Sequence, residues 1–93
     1  MKVKICGITH EVIECEDTFD VDLHFGMIDF KKSLIKINSD LSEEVKKETL
    51  CHEILHGILV HLGYNNLNED ETFVQVLANA INQTFDIRYE VEE

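Results

Sequence analysis

Apolar and polar residues alternate with a period of two over the N-terminal third of the chain and with a period near 3.6 over the rest. Lys2-Val3-Lys4-Ile5-Cys6 puts Val3 and Ile5 on one face. Gly7 interrupts, and Thr9-His10-Glu11-Val12-Ile13-Glu14-Cys15 resumes the alternation. This pattern predicts a β-hairpin or two sequential strands. A polar connection over Glu16-Asp17-Thr18-Phe19-Asp20 leads to two more short strand candidates, His24–Phe30 and Leu34–Asn38. Lys31-Lys32-Ser33 between them reads as a turn, so a second hairpin is expected.

The helical half begins at Ser39-Asp40-Leu41-Ser42-Glu43-Glu44. Asp40 with Glu43 has capping-box spacing, and Ser42 followed by two acids is the other candidate cap. The helix is predicted from about Ser42 to Leu62. Val45, Thr49, His52, His56 and Leu59 form one stripe, and Leu50, Ile54, Leu55, Ile58 and Leu62 supply the buried surface. Gly63 suits the residue just past the end. Tyr64 to Asn68 is expected to be a loop. A second helix follows from near Asn68, with Glu71 at cap spacing, to about Phe85. Phe73, Val74, Val76, Leu77, Ala80, Ile81 and Phe85 give it a wide apolar stripe. Asp86 to Val91 reads as a last short strand or a frayed tail. The expected fold is α+β: one domain over residues 1–93, with a small, mainly antiparallel sheet packed on the first helix and a second helix antiparallel to it.

Ninety-three residues make one small core, for which a bound metal would add stability. A net charge of −11, from 19 acidic and 8 basic residues, disfavours nucleic-acid binding through a basic surface. Cys6, Cys15 and Cys51 form no C-x-x-C pair, and neither a signal peptide nor a membrane-spanning apolar run is evident. Free thiols in the cytoplasm, with no membrane partner, are the expectation. Cys51 is expected to fill core rather than bind metal, since adjacent helical positions point about 100° apart.

Within the first helix stands Cys51-His52-Glu53-Ile54-Leu55-His56, an H-E-x-x-H pattern. Histidines four apart lie about one turn from each other on one face, so both imidazoles can reach a single ion. The intervening glutamate can then act as a base on water at that ion, which is the arrangement of a zinc hydrolase. Catalytic zinc takes a third protein ligand and leaves one position open. Glu69, Asp70 and Glu71, at the head of the second helix, are the candidates. Glu71 leads the stripe Val74, Ala78, Ile81 and Phe85, while Glu69 leads Phe73, Val76 and Ala80, so periodicity leaves the choice open. Each acid also suits a helix N-terminus without any metal. His61 follows His56 by five residues and is rotated about 140° from it, which sets it apart from the site. His10 and His24, in the strand region, are expected to be half-exposed surface residues, although either could support a transition-state oxyanion.

The stretch Leu50-Cys51-His52-Glu53-Ile54-Leu55-His56-Gly57-Ile58-Leu59, with Asn68-Glu69-Asp70-Glu71-Thr72-Phe73-Val74 and Leu77-Ala78-Asn79-Ala80, resembles small zincin-like proteins of phages and prophages. These are similar to minimal ImmA/IrrE-type zinc peptidases of the gluzincin group. The resemblance implies zinc held by His52, His56 and Glu71, with Glu53 as catalytic base. It implies a peptide or protein substrate. The competing expectation is a non-catalytic module that zinc stabilises and whose surface recruits a partner. A metal-dependent ribonuclease is disfavoured by histidine spacing and by charge.

Overall fold

The computed structural model describes residues 1–16 and 25–90. The connection over Asp17–Asp20, His24 and the end from Val91 lie outside them. Four strands come first: β1 (Lys2–Ile5), β2 (Ile8–Cys15), β3 (Gly26–Asp29) and β4 (Leu34–Asn38). Three helices follow: α1 (Glu43–Leu62), α2 (Asn65–Glu69) and α3 (Glu71–Thr84). The class is α+β.

Both expected hairpins form. β1 and β2 pair antiparallel, with Val3 opposite His10 and Ile5 opposite Ile8. The two residues between them, Cys6 and Gly7, both take positive φ (50° and 84°), as a tight hairpin turn demands. β3 and β4 pair antiparallel, with Ile28 opposite Ile35. Their turn is held by the Asp29 carboxylate, which accepts from the Lys31 and Lys32 amides at 3.0 Å each. The hairpins then join through a parallel pair, β2 with β4, in the order β1-β2-β4-β3. Among the described residues β3 is thus an edge strand.

Ser42 rather than Asp40 caps α1: its hydroxyl accepts from Val45 N, and Glu43 and Glu44 favour the first turn. Gly63, at φ 82°, ends the helix. Gly63 N donates to Val60 O and Tyr64 N to Leu59 O, a pair of bonds that satisfies the last carbonyls.

The expected loop at Tyr64–Asn68 is instead the short helix α2. The second long helix consequently starts at Glu71, not Asn68. Asp70 is its cap, accepting from Phe73 N at 3.0 Å.

Helix α1 is buried on two sides. Leu50 joins Val3, Ile5, Val12, Ile35 and Ile37 in one cluster against the sheet. Cys51, Leu55 and Leu59 join Val74 and Ala78 of α3 in a second. Cys51 is core, as expected, and its thiol donates to Ala78 O at 3.3 Å. Leu62 (60% exposed), Val76 (64%) and Phe85 (65%) fall outside both clusters, so the apolar stripes are narrower than the sequence suggested. Contacts between α1 and α3 pair Glu71 with His52 and His56 and Gln75 with Glu48, and just past the end of α3 Asp86 meets Lys47. Descending numbers on one helix meet ascending numbers on the other, so the helices are antiparallel. No helix among the described residues is long and apolar enough to cross a membrane.

Candidate metal centre

His52 and His56 share a face of α1 because they are four residues apart on a continuous helix. That helix is fixed by its sheet-facing residues. Gly26 of β3 lies against Thr49, where a methyl group would sit 2.7 Å from Thr49 Cγ2 and 2.9 Å from the Lys36 carbonyl oxygen. Only a glycine lets the edge strand approach so closely. Further along, Gly57 faces Ile5 and Ile28.

The two imidazoles converge. Their Nε2 atoms lie 3.1 Å apart. The Glu71 carboxylate meets both, with Oε2 at 3.2 Å from His52 Nε2 and Oε1 at 3.0 Å from His56 Nε2. Among the described residues these three side chains are the group that can hold a metal ion. Zinc bound by nitrogen and oxygen at about 2.0–2.2 Å in a tetrahedron has ligand atoms about 3.3 Å apart. The three separations are close to that edge length.

The lone pairs point the right way. His56 Nδ1 donates to Asn68 Oδ1 at 2.7 Å, so the proton sits on Nδ1 and Nε2 is left free to bind a cation. Two electron-rich nitrogens and a carboxylate repel one another unless a positive charge lies between them. His52 differs from its neighbour: its Nδ1 is buried and has no partner among the described residues.

Glu53 is 8% exposed. Burial pushes its carboxyl up to about 7; the nearby Glu71 charge adds to the shift and His56 opposes it. A carboxyl poised near neutrality can take up and release a proton. Glu53, His52, His56 and Glu71 all line one cleft of about 740 Å³, whose far wall includes Phe25, Gly26, Met27 and Ile28.

The other acids and histidines sit elsewhere. Asp70 is occupied as the cap of α3. Glu69 is exposed at the end of α2 and does not line the cleft. His61 is exposed in the last turn of α1, outside the cleft. His10 is the clear departure from expectation. It is fully buried, not half-exposed, with Nδ1 donating to Ile8 O at 2.9 Å and its ring edge-on to His61. Its position on β2 next to Val12 puts it on the sheet face that α1 covers. Sequence reasoning overlooked Asn68 as the outer partner of His56. The two are twelve residues apart, and only the unforeseen α2 brings them together.

No family model, curated protein or solved structure matches the chain.

Proposed function

We propose that this protein is a zinc-dependent metallopeptidase of the zincin type, similar to the small gluzincin-like proteins of phages, and that it acts in the cytoplasm on a peptide or protein. His52, His56 and Glu71 would hold the ion. One observation carries this reading: two imidazole Nε2 atoms and a carboxylate converge at ligand spacing beside a buried glutamate, in an open cleft.

A zinc ion there supplies Lewis acidity, which polarises a carbonyl and acidifies water. Glu53 takes a proton from the attacking water and hands it to the departing amine. Glu53 adjoins His52 in sequence and lines the same cleft but is not one of the three converging side chains, which fits a base better than a ligand. Asn68 fixes the His56 ring and its tautomer.

Edge strand β3 offers the substrate a template. Phe25 O accepts from Asn38 N, so the alternate residues Gly26 and Ile28 turn their N–H and C=O groups away from β4. An extended peptide can add antiparallel there by main-chain hydrogen bonds.

The zinc-stabilised binding module differs in having no use for Glu53. A structural site closes with four protein ligands, whereas the group here has three among the described residues. The test is zinc stoichiometry together with hydrolysis of a mixed peptide library. Glu53→Gln is expected to keep one zinc and to lose about 10²–10⁴-fold in rate. Hydrolysis unchanged in that variant would remove Glu53 as the base. A zinc-loaded wild type that cuts nothing would favour the binding module.

A further inference from the structure

One turn along the cleft from the metal centre, the same two helices present a second pair of polar side chains. Glu48 precedes His52 by four residues and Gln75 follows Glu71 by four, so the pair repeats the facing geometry of the metal ligands. Both line the cleft. Gln75 Nε2 donates to Glu48 Oε1 at 3.0 Å and to Asn79 Oδ1 at 3.0 Å. Both amide hydrogens are thereby engaged, which clamps one carboxylate oxygen of Glu48. Among the described residues no cation pairs with Glu48. The adjacent lysines turn elsewhere, Lys46 to Glu14 and Glu43, and Lys47 to Asp86. A half-buried carboxylate is thus held in the cleft with one oxygen unclaimed among the described residues.

Resting on the peptidase reading, we propose that Glu48, positioned by Gln75, selects a lysine or arginine side chain just C-terminal to the bond that is cut. The side of the bond follows from chain direction. Thr49 lies against Gly26 and Gly57 faces Ile28, so α1 and β3 run the same way. A peptide antiparallel to β3 runs from Ile28 towards Gly26. Its segment beyond the metal centre then reaches Thr49 and the neighbouring Glu48. One helical turn, about 5.4 Å, separates Glu48 from His52, within reach of a side chain on the first or second residue past the bond. An arginine or lysine there would meet a preset acceptor.

The test uses zinc-loaded protein and peptide hydroxamates, whose hydroxamate seats on the metal. They carry arginine, norleucine or glutamate in the adjoining C-terminal position, and affinity is measured by calorimetry. Arginine is expected to bind about 10- to 100-fold tighter than norleucine, the range of a charged hydrogen bond. Glu48→Gln should level the two with zinc content unchanged, and Glu48→Lys should favour glutamate. Glu69→Gln, which removes the same charge outside the cleft, should keep the preference. Equal affinities in the wild type, a preference that survives Glu48→Gln, or one that Glu69→Gln also abolishes would overturn the proposal. So would loss of zinc from Glu48→Gln, which would make Glu48 part of the metal centre. A preference for arginine in binding without cleavage of any peptide would overturn the peptidase reading but leave the selectivity of Glu48 standing.

Discussion

Two pairs of histidines draw on the same helix, and they differ instructively. His52 and His56 have ring centroids 4.8 Å apart, and His10 and His61 have theirs 6.0 Å apart. In the first pair both Nε2 atoms turn to one point, a carboxylate completes the triangle, and Asn68 holds one ring from behind. In the second pair the rings meet edge to face at 88°, and His10 is anchored to a backbone carbonyl. Its Nε2 is buried without a partner among the described residues. Nearness of imidazoles is therefore not what makes a candidate metal centre. What matters is that their lone pairs share a target and that a negative group shares it too. His10 serves the fold as a close-packed filler.

Substitutions at each pair can break that distinction. If zinc is held by about 10 kcal/mol, each of three ligands accounts for about 3 kcal/mol, or roughly a hundredfold in affinity. His56→Ala is expected to weaken zinc binding at least that much and to end hydrolysis, while His61→Ala changes neither. An equal loss from His61→Ala, by metal titration, would erase the contrast. Glu71→Ala should likewise cost about a hundredfold in zinc affinity, against no change for Glu69→Ala. The reverse order would move the third ligand to α2. His10→Ala is expected to lower stability by about 2–4 kcal/mol through the cavity it leaves, with zinc affinity intact. Denaturant unfolding of the metal-free protein reads the first quantity, and metal titration reads the second. The smallest effect is expected from Asn68→Ala, about 10- to 100-fold in zinc affinity, because the ring it orients remains present.

What the sequence revealed was chiefly local. The two hairpins, α1 with its Ser42 cap and Gly63 terminus, and the spacing of His52, Glu53 and His56 depend on residues within a turn or two of one another. The parallel pairing of β2 with β4 joins segments more than twenty residues apart, and alternation of side chains says nothing of it. α2 escaped notice because Asn65, Asn66 and Asn68 are turn-favouring residues and the short helix buries no side chain that an apolar pattern would mark. That short helix then shifted the cap from Asn68 to Asp70 and released Asn68 for His56. The order of the three acids was ambiguous for a related reason. Glu69, Asp70 and Glu71 differ by one position each, and which faces α1 depends on where α3 begins. The burial of His10 followed from register on β2, where it shares a face with Val12, but its polar ring disguised it.

The division of the core into two clusters bears on how the molecule comes apart. Five sheet residues brace one flank of α1, whereas only Val74 and Ala78 are fully enclosed on the α3 flank. The seam between α1 and α3 is the thinner of the two, and the His52–His56–Glu71 triangle straddles its open end. Whatever ion fastens that triangle also closes the fifteen-residue span from His56 to Glu71, as a covalent clasp would. Were an ion bound there, its uptake would tighten the seating of α3, and the chain without it would loosen at that seam first.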